Sequence, residues 1–319
     1  MSLPAGVSAR IMHATVAICT WNRSALLGAT LASIERMRVP DGTQWELLVV
    51  DNHSTDDTQA VLAGLQGRLP LRTVVELRQG CSHARNRAMD EATGDLLVWT
   101  DDDVQVAPAW FEAYLEAAAR HPEAAYFGGP IDPLFVEVPP AWFAANLDVF
   151  AAALALRGDP PGGGELLKGV AHIPYCANLM LRRRLCDPRR FDTEIGHRGT
   201  VRMGGEEVQF IEMLVAEGKH GVWVRDARVR HHIPPDRTTL PFLWNHYHGK
   251  GRARARVNLG PGLDCQLSPS DRRLRRKLWK ARLRLWTSLG RRDERWARAL
   301  KSGATAKGML DERRTLRDR

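Results

Sequence analysis

The chain has 319 residues, of which 44% are hydrophobic and 26% charged, the balance of a globular protein with room for one large core or two. Its formal net charge of +9 is uneven: residues 271–319 hold 18 Lys and Arg against 6 Asp and Glu, and the remainder is close to neutral. No apolar run approaches the roughly 20 residues of a membrane span, and the N-terminus lacks a basic segment followed by a long apolar core, so neither a spanning protein nor a secreted one is expected. The five cysteines (Cys19, Cys81, Cys176, Cys186 and Cys265) form no CxxC pair. Their odd number argues against a disulfide framework and for a reducing, cytoplasmic setting.

In chain order, "ATVAIC" (14–19) predicts a buried strand and "SALLGATLASIERM" (24–37) a helix. "WELLVVDN" (45–52) predicts a second strand, and the turn-rich "HSTDDT" caps the helix that follows. "LRTVVEL" (71–77) predicts a third strand, "SHARNRAMDEA" (82–92) a helix, "DLLVWT" (95–100) a fourth strand and "PAWFEAYLEAAARH" (108–121) a helix. Repeated strand–helix units with nearly continuous apolar strands imply a mostly parallel α/β sheet covered on both faces. Ligands of such sheets sit at the carboxyl ends of the strands. Thr20, Asn22 and Arg23, then Asp51 and Asn52, then Asp101 to Asp103 all fall on that edge.

Past residue 124 the pattern loosens. "AAYFGGPIDP" (124–133) reads as a strand entering a glycine turn, "PPGGGEL" (160–166) as a mobile loop, and "IPYCANLMLRRRLC" (173–186) as a strand entering a helix. "GGEEVQFIEMLVAEG" (204–218) reads as a glycine turn feeding a helix, "HGVWVRDARVRHHI" (220–233) as short strands, and "LPFLWNHYHGKGRARARV" (240–257) as a basic helix interrupted by glycines. The expected division is an N-terminal extension (1–13), an α/β half (14–123), a second half of the same domain (124–257) and a basic helical extension (258–319). Trp142, Trp223 and Trp244 are expected in the core, with stacking on a ligand as the alternative.

The triplet Asp101-Asp102-Asp103 at the end of the fourth strand poses an electrostatic question. Two carboxylates about 4 Å apart repel by roughly 4 kcal/mol at an effective dielectric near 20. Full solvation, a shared proton or a bound cation can each relieve that. The glycine fingerprint of dinucleotide oxidoreductases and the P-loop are both absent.

"VAICTWNR", "LLVVDNHSTDDT", "CSHARNRAMDEATGDLLVWTDDDV", "PYCANLMLRR" and "GGEEVQFIEML" follow one another in the order of the motifs of family 2 glycosyltransferases. Over roughly residues 14–256 the chain resembles that family, and the resemblance implies the GT-A fold, a Rossmann-like central sheet. It also implies transfer of a sugar from a nucleotide diphosphate sugar, usually a UDP-sugar, to an acceptor hydroxyl with inversion at the anomeric carbon. On that match Asp103 holds Mn2+ or Mg2+, and Asp101 binds the ribose or shares the metal. Asp51 meets the base, Thr20, Asn22 and Asp102 lie at the nucleotide, and Arg85 contacts it. Gly129 and Asn178 lie near the sugars, and either His231 or His232 adds a metal ligand. Hard divalent ions of this kind take oxygen ligands from one or two carboxylates plus substrate phosphates. Inversion needs a base at the acceptor hydroxyl, and the matching position is Glu207, with Glu206 the substitute.

Residues 271–289 place Leu274, Leu278, Ala281, Leu285 and Leu289 on one helical face and basic residues on the other. Such a helix suits either a membrane surface, as for a lipid-linked acceptor, or packing on the body. The basic run carries no recognition motif for nucleic acid, so none is expected as a partner. Residues 302–319 are expected to fray. The competing functions are a sugar nucleotidyltransferase and a nucleotide-sugar-binding protein without turnover.

Overall fold

Eleven strands and eleven α-helices occur among the described residues of the computed structural model, which are 13–162, 165–167, 169, 171–197, 204–257, 269–288 and 290–318. The first half alternates as the apolar pattern predicts: β1 (His13–Thr20), α1 (Ser24–Ile34), β2 (Gln44–Asp51), α2 (Thr58–Ala63), β3 (Leu71–Val75), α3 (Cys81–Glu91), β4 (Leu96–Thr100), β5 (Val104–Val106) and α4 (Trp110–Arg120). The second half runs β6 (Tyr126–Gly128), β7 (Ile131–Phe135), α5 (Ala141–Ala144), α6 (Leu147–Phe150), β8 (Leu166–Leu167), β9 (Asn178–Arg182), α7 (Arg183–Cys186) and α8 (Glu206–Ala216). It ends with β10 (Gly221–Trp223), β11 (Val229–Ile233), α9 (Leu240–Val257), α10 (Asp271–Thr287) and α11 (Glu294–Arg317).

The main sheet has the order β3-β2-β1-β4-β9-β6-β10-β8. Its first four strands are parallel, and β9 runs antiparallel between β4 and β6. Because side chains alternate across a strand, β1 feeds two layers. Val16 and Ile18 pack with Leu27 and Leu31 of α1 and Phe111 of α4. Ala17 packs on the other side with Ala84 and Met89 of α3 and Phe210 and Leu214 of α8. Helices α3 and α8 therefore lie on the same face of the sheet. Trp223 lies in this second layer, and Trp142 and Trp244 are partly buried against the first.

A second sheet, β5-β11-β7, has three strands. It pairs His231 with Val104, and the His232 amide donates to the Asp103 carbonyl at 2.9 Å. This pairing brings the end of the acidic triplet to a histidine from the far half of the chain.

The C-terminal region departs from expectation. Residues 302–317 do not fray; they belong to α11, which buries Trp296, Ala297, Leu300, Ala304 and Met309. The glycines of α9 do not interrupt it. A Cβ on Gly251 would collide with the Thr305 carbonyl, and one on Gly308 with the His248 carbonyl, so glycine at both positions lets the two helix backbones touch. Leu274, Leu278 and Ala281, the predicted apolar face of α10, are buried, the two leucines in a cluster with Ala255 of α9 and Ala306 and Met309 of α11. Packing has consumed that face. Cys265 and Leu289 lie outside the described residues, as does part of the 160–166 segment, whose Leu166 opens β8. No described helix is long and apolar enough to cross a membrane.

Candidate active site

A cavity of about 180 Å³ opens at the carboxyl ends of β1 and β4, lined by Arg23, Arg85, Asp101, Asp103, Glu206, Glu207, His231, Arg237 and Lys250. Residues from five separated segments converge there, as the sheet-edge rule requires.

The triplet divides by role. Asp102 is locked into the frame: its Oδ2 accepts from Thr20 Oγ1 at 2.8 Å, its Oδ1 from Arg23 Nη1 at 2.9 Å, and its carbonyl from Thr30 Oγ1 at 3.0 Å. Burial raises its carboxyl to about 6 against the pull of Arg23. Asp103 Oδ2 accepts from Arg23 at 3.1 Å and from Arg237 at 3.0 Å. Asp101 stays 36% exposed, with Arg85 Nη2 3.8 Å from its Oδ1.

His231 is buried, and its Nδ1 sits 2.6 Å from the Leu154 carbonyl, a contact that requires a proton on Nδ1. Its Nε2 lies 2.9 Å from Arg237 Nη1 and 3.1 Å from Asp103 Oδ1. The carbonyl behind the imidazole is the usual support of a metal-ligating histidine, and with Nε2 unprotonated the two side chains would form a slot for a divalent ion. Such an ion would take its remaining ligands from substrate phosphates and water. Among the described residues no cluster of three or more His, Cys, Asp or Glu is arranged to hold a metal without substrate. His232 is the wrong neighbour for this slot. The pleat turns its side chain to the opposite face, and its Nδ1 has no hydrogen-bond partner.

Across the cavity Arg85 of α3, buried beneath Phe191, ties the acidic groups together. Its Nη1 lies 2.5 Å from Glu206 Oε1 and 3.3 Å from Glu207 Oε2. The first turn of α8 reaches this position because α3 and α8 share one face of the sheet. Glu206 also accepts from the Gly205 amide at 2.9 Å and from the Cys81 thiol at 3.3 Å. Burial opposes its charge, but Arg85 prevails and its carboxyl falls to about 2. Glu207 has fewer donors, and burial together with the Glu206 charge raises it to about 8. Neighbouring carboxyls driven apart in this way mark one as a fixed anion and the other as a proton acceptor.

The other expected site residues do not line this cavity. Asn178, expected near the sugars, is fully buried: its Oδ1 accepts from Trp110 Nε1 at 2.8 Å and Tyr114 OH at 2.7 Å, and its Nδ2 donates to the Pro130 and Ala227 carbonyls. No polar atom of it remains for a ligand. Gly129 packs against that amide and the Ala227 carbonyl, where a Cβ would collide. Thr20 spends its hydroxyl on Asp102. Asp51 closes its own turn, accepting from the Ser54 amide at 2.8 Å and from Gln59 Nε2 at 2.5 Å. Asn22, at φ +52°, accepts from the Thr55 amide at 2.7 Å and joins the tip of β1 to the loop after β2. Sequence reasoning did not single out Arg237. It follows His231 by six residues with no pattern to mark it, and only the fold folds it back onto Asp103.

A family model described as glycosyl transferase family 2 matches residues 15–187. The succinoglycan biosynthesis protein ExoM of Rhizobium meliloti (strain 1021) is 28% identical over 77% of this chain and 75% of its own length. A glucosyl-dolichyl phosphate glucuronosyltransferase of Haloferax volcanii is 23% identical over 73% of each chain. The mannosyltransferase PcManGT from Pyrobaculum calidifontis, solved in complex with GDP-Man and Mn2+, has a TM-score of 0.56 and 19% identity, covering 97% of this chain and 80% of that one.

Proposed function

Because the chain belongs to glycosyl transferase family 2, and is a glycosyltransferase of the GT-A fold, we propose that it transfers a sugar from a nucleotide diphosphate sugar to an acceptor hydroxyl with inversion. The observation that carries the reading is that Glu207, raised to about 8, lines the same cavity as Asp103 and His231.

Glu207 takes the proton of the acceptor hydroxyl as its oxygen bonds to the anomeric carbon. The bond from that carbon to the diphosphate breaks on the opposite face, and the nucleoside diphosphate leaves with the electron pair. Glu206, held anionic by Arg85, keeps Glu207 a strong proton acceptor. Asp103 and His231 would hold a divalent cation, Mn2+ or Mg2+, which would supply positive charge to the leaving diphosphate. Arg23 and Arg237 stand beside the same carboxylate and add charge for the diphosphate. Asp101, the exposed member of the triplet, is the group for the ribose or a shared metal contact. The nucleoside, by family likeness a uridine, is assigned to the rim at Asn22 and Asp51. On this reading residues 14–123 form the donor half and residues 124–257 the acceptor half.

A lipid-linked acceptor agrees with the name of the Haloferax relative. It agrees also with a second stripe on α10, where Trp279 (62% exposed), Leu283 (44%) and Trp286 (81%) stand outward among arginines and lysines. We assign that stripe, rather than the buried leucine face, to an anionic lipid surface at the inner face of the membrane. A screen of UDP- and GDP-sugars with Mn2+, read as released nucleoside diphosphate, tests the function. Release by the native chain and its loss in Asp103→Ala and Glu207→Gln are expected; release of pyrophosphate instead would overturn it.

A further inference from the structure

The C-terminal helices reach the catalytic carboxylates through a short loop. Arg252 and Arg256 of α9 both meet the buried Glu312 of α11, each through Nε at 2.6 Å. Their other contacts differ. Among the described residues the Arg252 side chain has no polar partner besides Glu312. Arg256 extends Nη1 to the Glu194 carbonyl at 3.0 Å and to Glu194 Oε2 at 3.5 Å. The next residue, Ile195, is buried against Ala253 of α9.

The loop then closes on the first turn of α3. Ser82 Oγ donates to the Ile195 carbonyl at 2.9 Å, the Cys81 amide to the His197 carbonyl at 2.9 Å, and the His197 amide to Cys81 Sγ at 3.1 Å. Gly196, at φ +106°, permits the approach, since a Cβ there would lie 2.6 Å from Ser82 Oγ and 2.9 Å from Cys81 Sγ. The Cys81 thiol in turn donates to Glu206 Oε1 at 3.3 Å. Desolvation and the Glu206 charge push that thiol well above its usual value, so it remains a donor while Glu207 titrates. Contacts therefore run unbroken from Glu312 through Arg256, residues 194–197 and Cys81 to the anion beside the base. Of this line only the α3 residues fall within 15–187, the span of the family model.

We propose that Arg256 is a positioning residue for the transfer reaction: it holds the 194–197 loop on α3, so that Cys81 keeps Glu206, and the adjoining Glu207, in place. Its planar fork suits the task, because one side chain can serve Glu312 and a backbone carbonyl together. A small displacement of a reacting group is costly. Arg252, on the same carboxylate, serves the fold alone. The proposal rests on the reading of Glu207 as the base.

Arg256→Met and Arg252→Met test it on the full chain. Each leaves Glu312 one arginine, so both are expected to fold, with similar falls in melting temperature. Labelling of Cys81 by iodoacetamide, read by mass spectrometry, needs neither donor nor acceptor. Arg256→Met is expected to speed it about tenfold or more, because opening of the loop governs access, and Arg252→Met to leave it at the native rate. With a UDP- or GDP-sugar and Mn2+, Arg256→Met is expected to lower kcat for nucleoside diphosphate release by about tenfold or more at unchanged donor KM. Arg252→Met keeps kcat. Cys81→Ala is expected to lower kcat as far, Cys81→Ser to restore it by keeping both hydrogen bonds, and Arg256→Met to add nothing to Cys81→Ala, since residues in one network are not additive. Equal labelling and equal kcat in the two arginine variants, or a full further loss in the double variant, would overturn the proposal. Native release with equal labelling in the two arginine variants sinks the tether alone. Labelling divided as expected, with no release from any donor, sinks the base reading alone.

Discussion

Asp103 Oδ1 and His231 Nε2 lie 3.1 Å apart, held there by the pairing of β5 with β11. The strand register decides which of two adjacent histidines takes this place. His231→Ala is expected to raise the Mn2+ concentration for half-maximal transfer by about tenfold or more, the usual scale for loss of a group supporting a metal. His232→Ala, on the opposite face, is expected to leave it unaltered. A Mn2+ titration of transfer rate checks both, and equal effects from the two histidines would remove the case for the slot.

Glu207 has two pH signatures. Only its ionised form accepts a proton, so kcat/KM of the native enzyme is expected to climb as pH rises through about 8. Glu207→Gln is expected to lose about 10²- to 10⁴-fold in kcat and to flatten that climb. Stability runs the other way. The folded pKa of about 8 exceeds the unfolded value, so between the two the folded protein holds a proton that the unfolded chain has released. The stability this proton brings is full below roughly pH 4.3 and is lost as pH rises toward the folded value. Glutamine stays neutral throughout. The melting temperature of Glu207→Gln relative to native protein should therefore improve between pH 5 and pH 9; a constant difference would contradict the raised pKa.

Asn178 is expected to matter for stability rather than for donor affinity. Asn178→Ala strands the Trp110 indole N–H and the Tyr114 hydroxyl in the core, at about 1–3 kcal/mol for each unsatisfied group. Urea unfolding checks the cost. A native-like midpoint with weakened donor binding would instead return Asn178 to the ligand.

Trp279→Ala with Trp286→Ala is expected to reduce co-sedimentation with vesicles containing phosphatidylglycerol, and high salt to reduce it further by screening the basic face. Leu274→Ala makes the contrast. It is expected to lower the melting temperature, because its side chain lies in the cluster with Met309. Undiminished sedimentation of the tryptophan variant would remove the lipid-surface assignment.

The donor half was legible because β1, β2 and β4 are nearly continuous apolar runs and each ends in polar residues at the same sheet edge. Ala14 to Ile18 and Leu47 to Val50 announce themselves by pattern. The triplet and the Glu206-Glu207 pair were also visible as charge where charge is costly. What the sequence could not give was the partition within each group. Glu206 and Glu207 differ only in how Arg85, Gly205 and Cys81 approach them, and those neighbours come from distant segments. Asn178 stood in a motif, yet its amide was claimed by Trp110 and Tyr114 of α4. The tail misled for a related reason: its leucine stripe fits a membrane or another helix equally well, and α11, whose small residues hide its packing face, supplied the helix.

The Gly251–Thr305 and Gly308–His248 contacts fix the distance between α9 and α11, since either helix can neither slide nor roll without pushing a side chain into the other's backbone. Arg254 and Lys301, one on each helix, line one cavity and therefore keep a constant spacing across it.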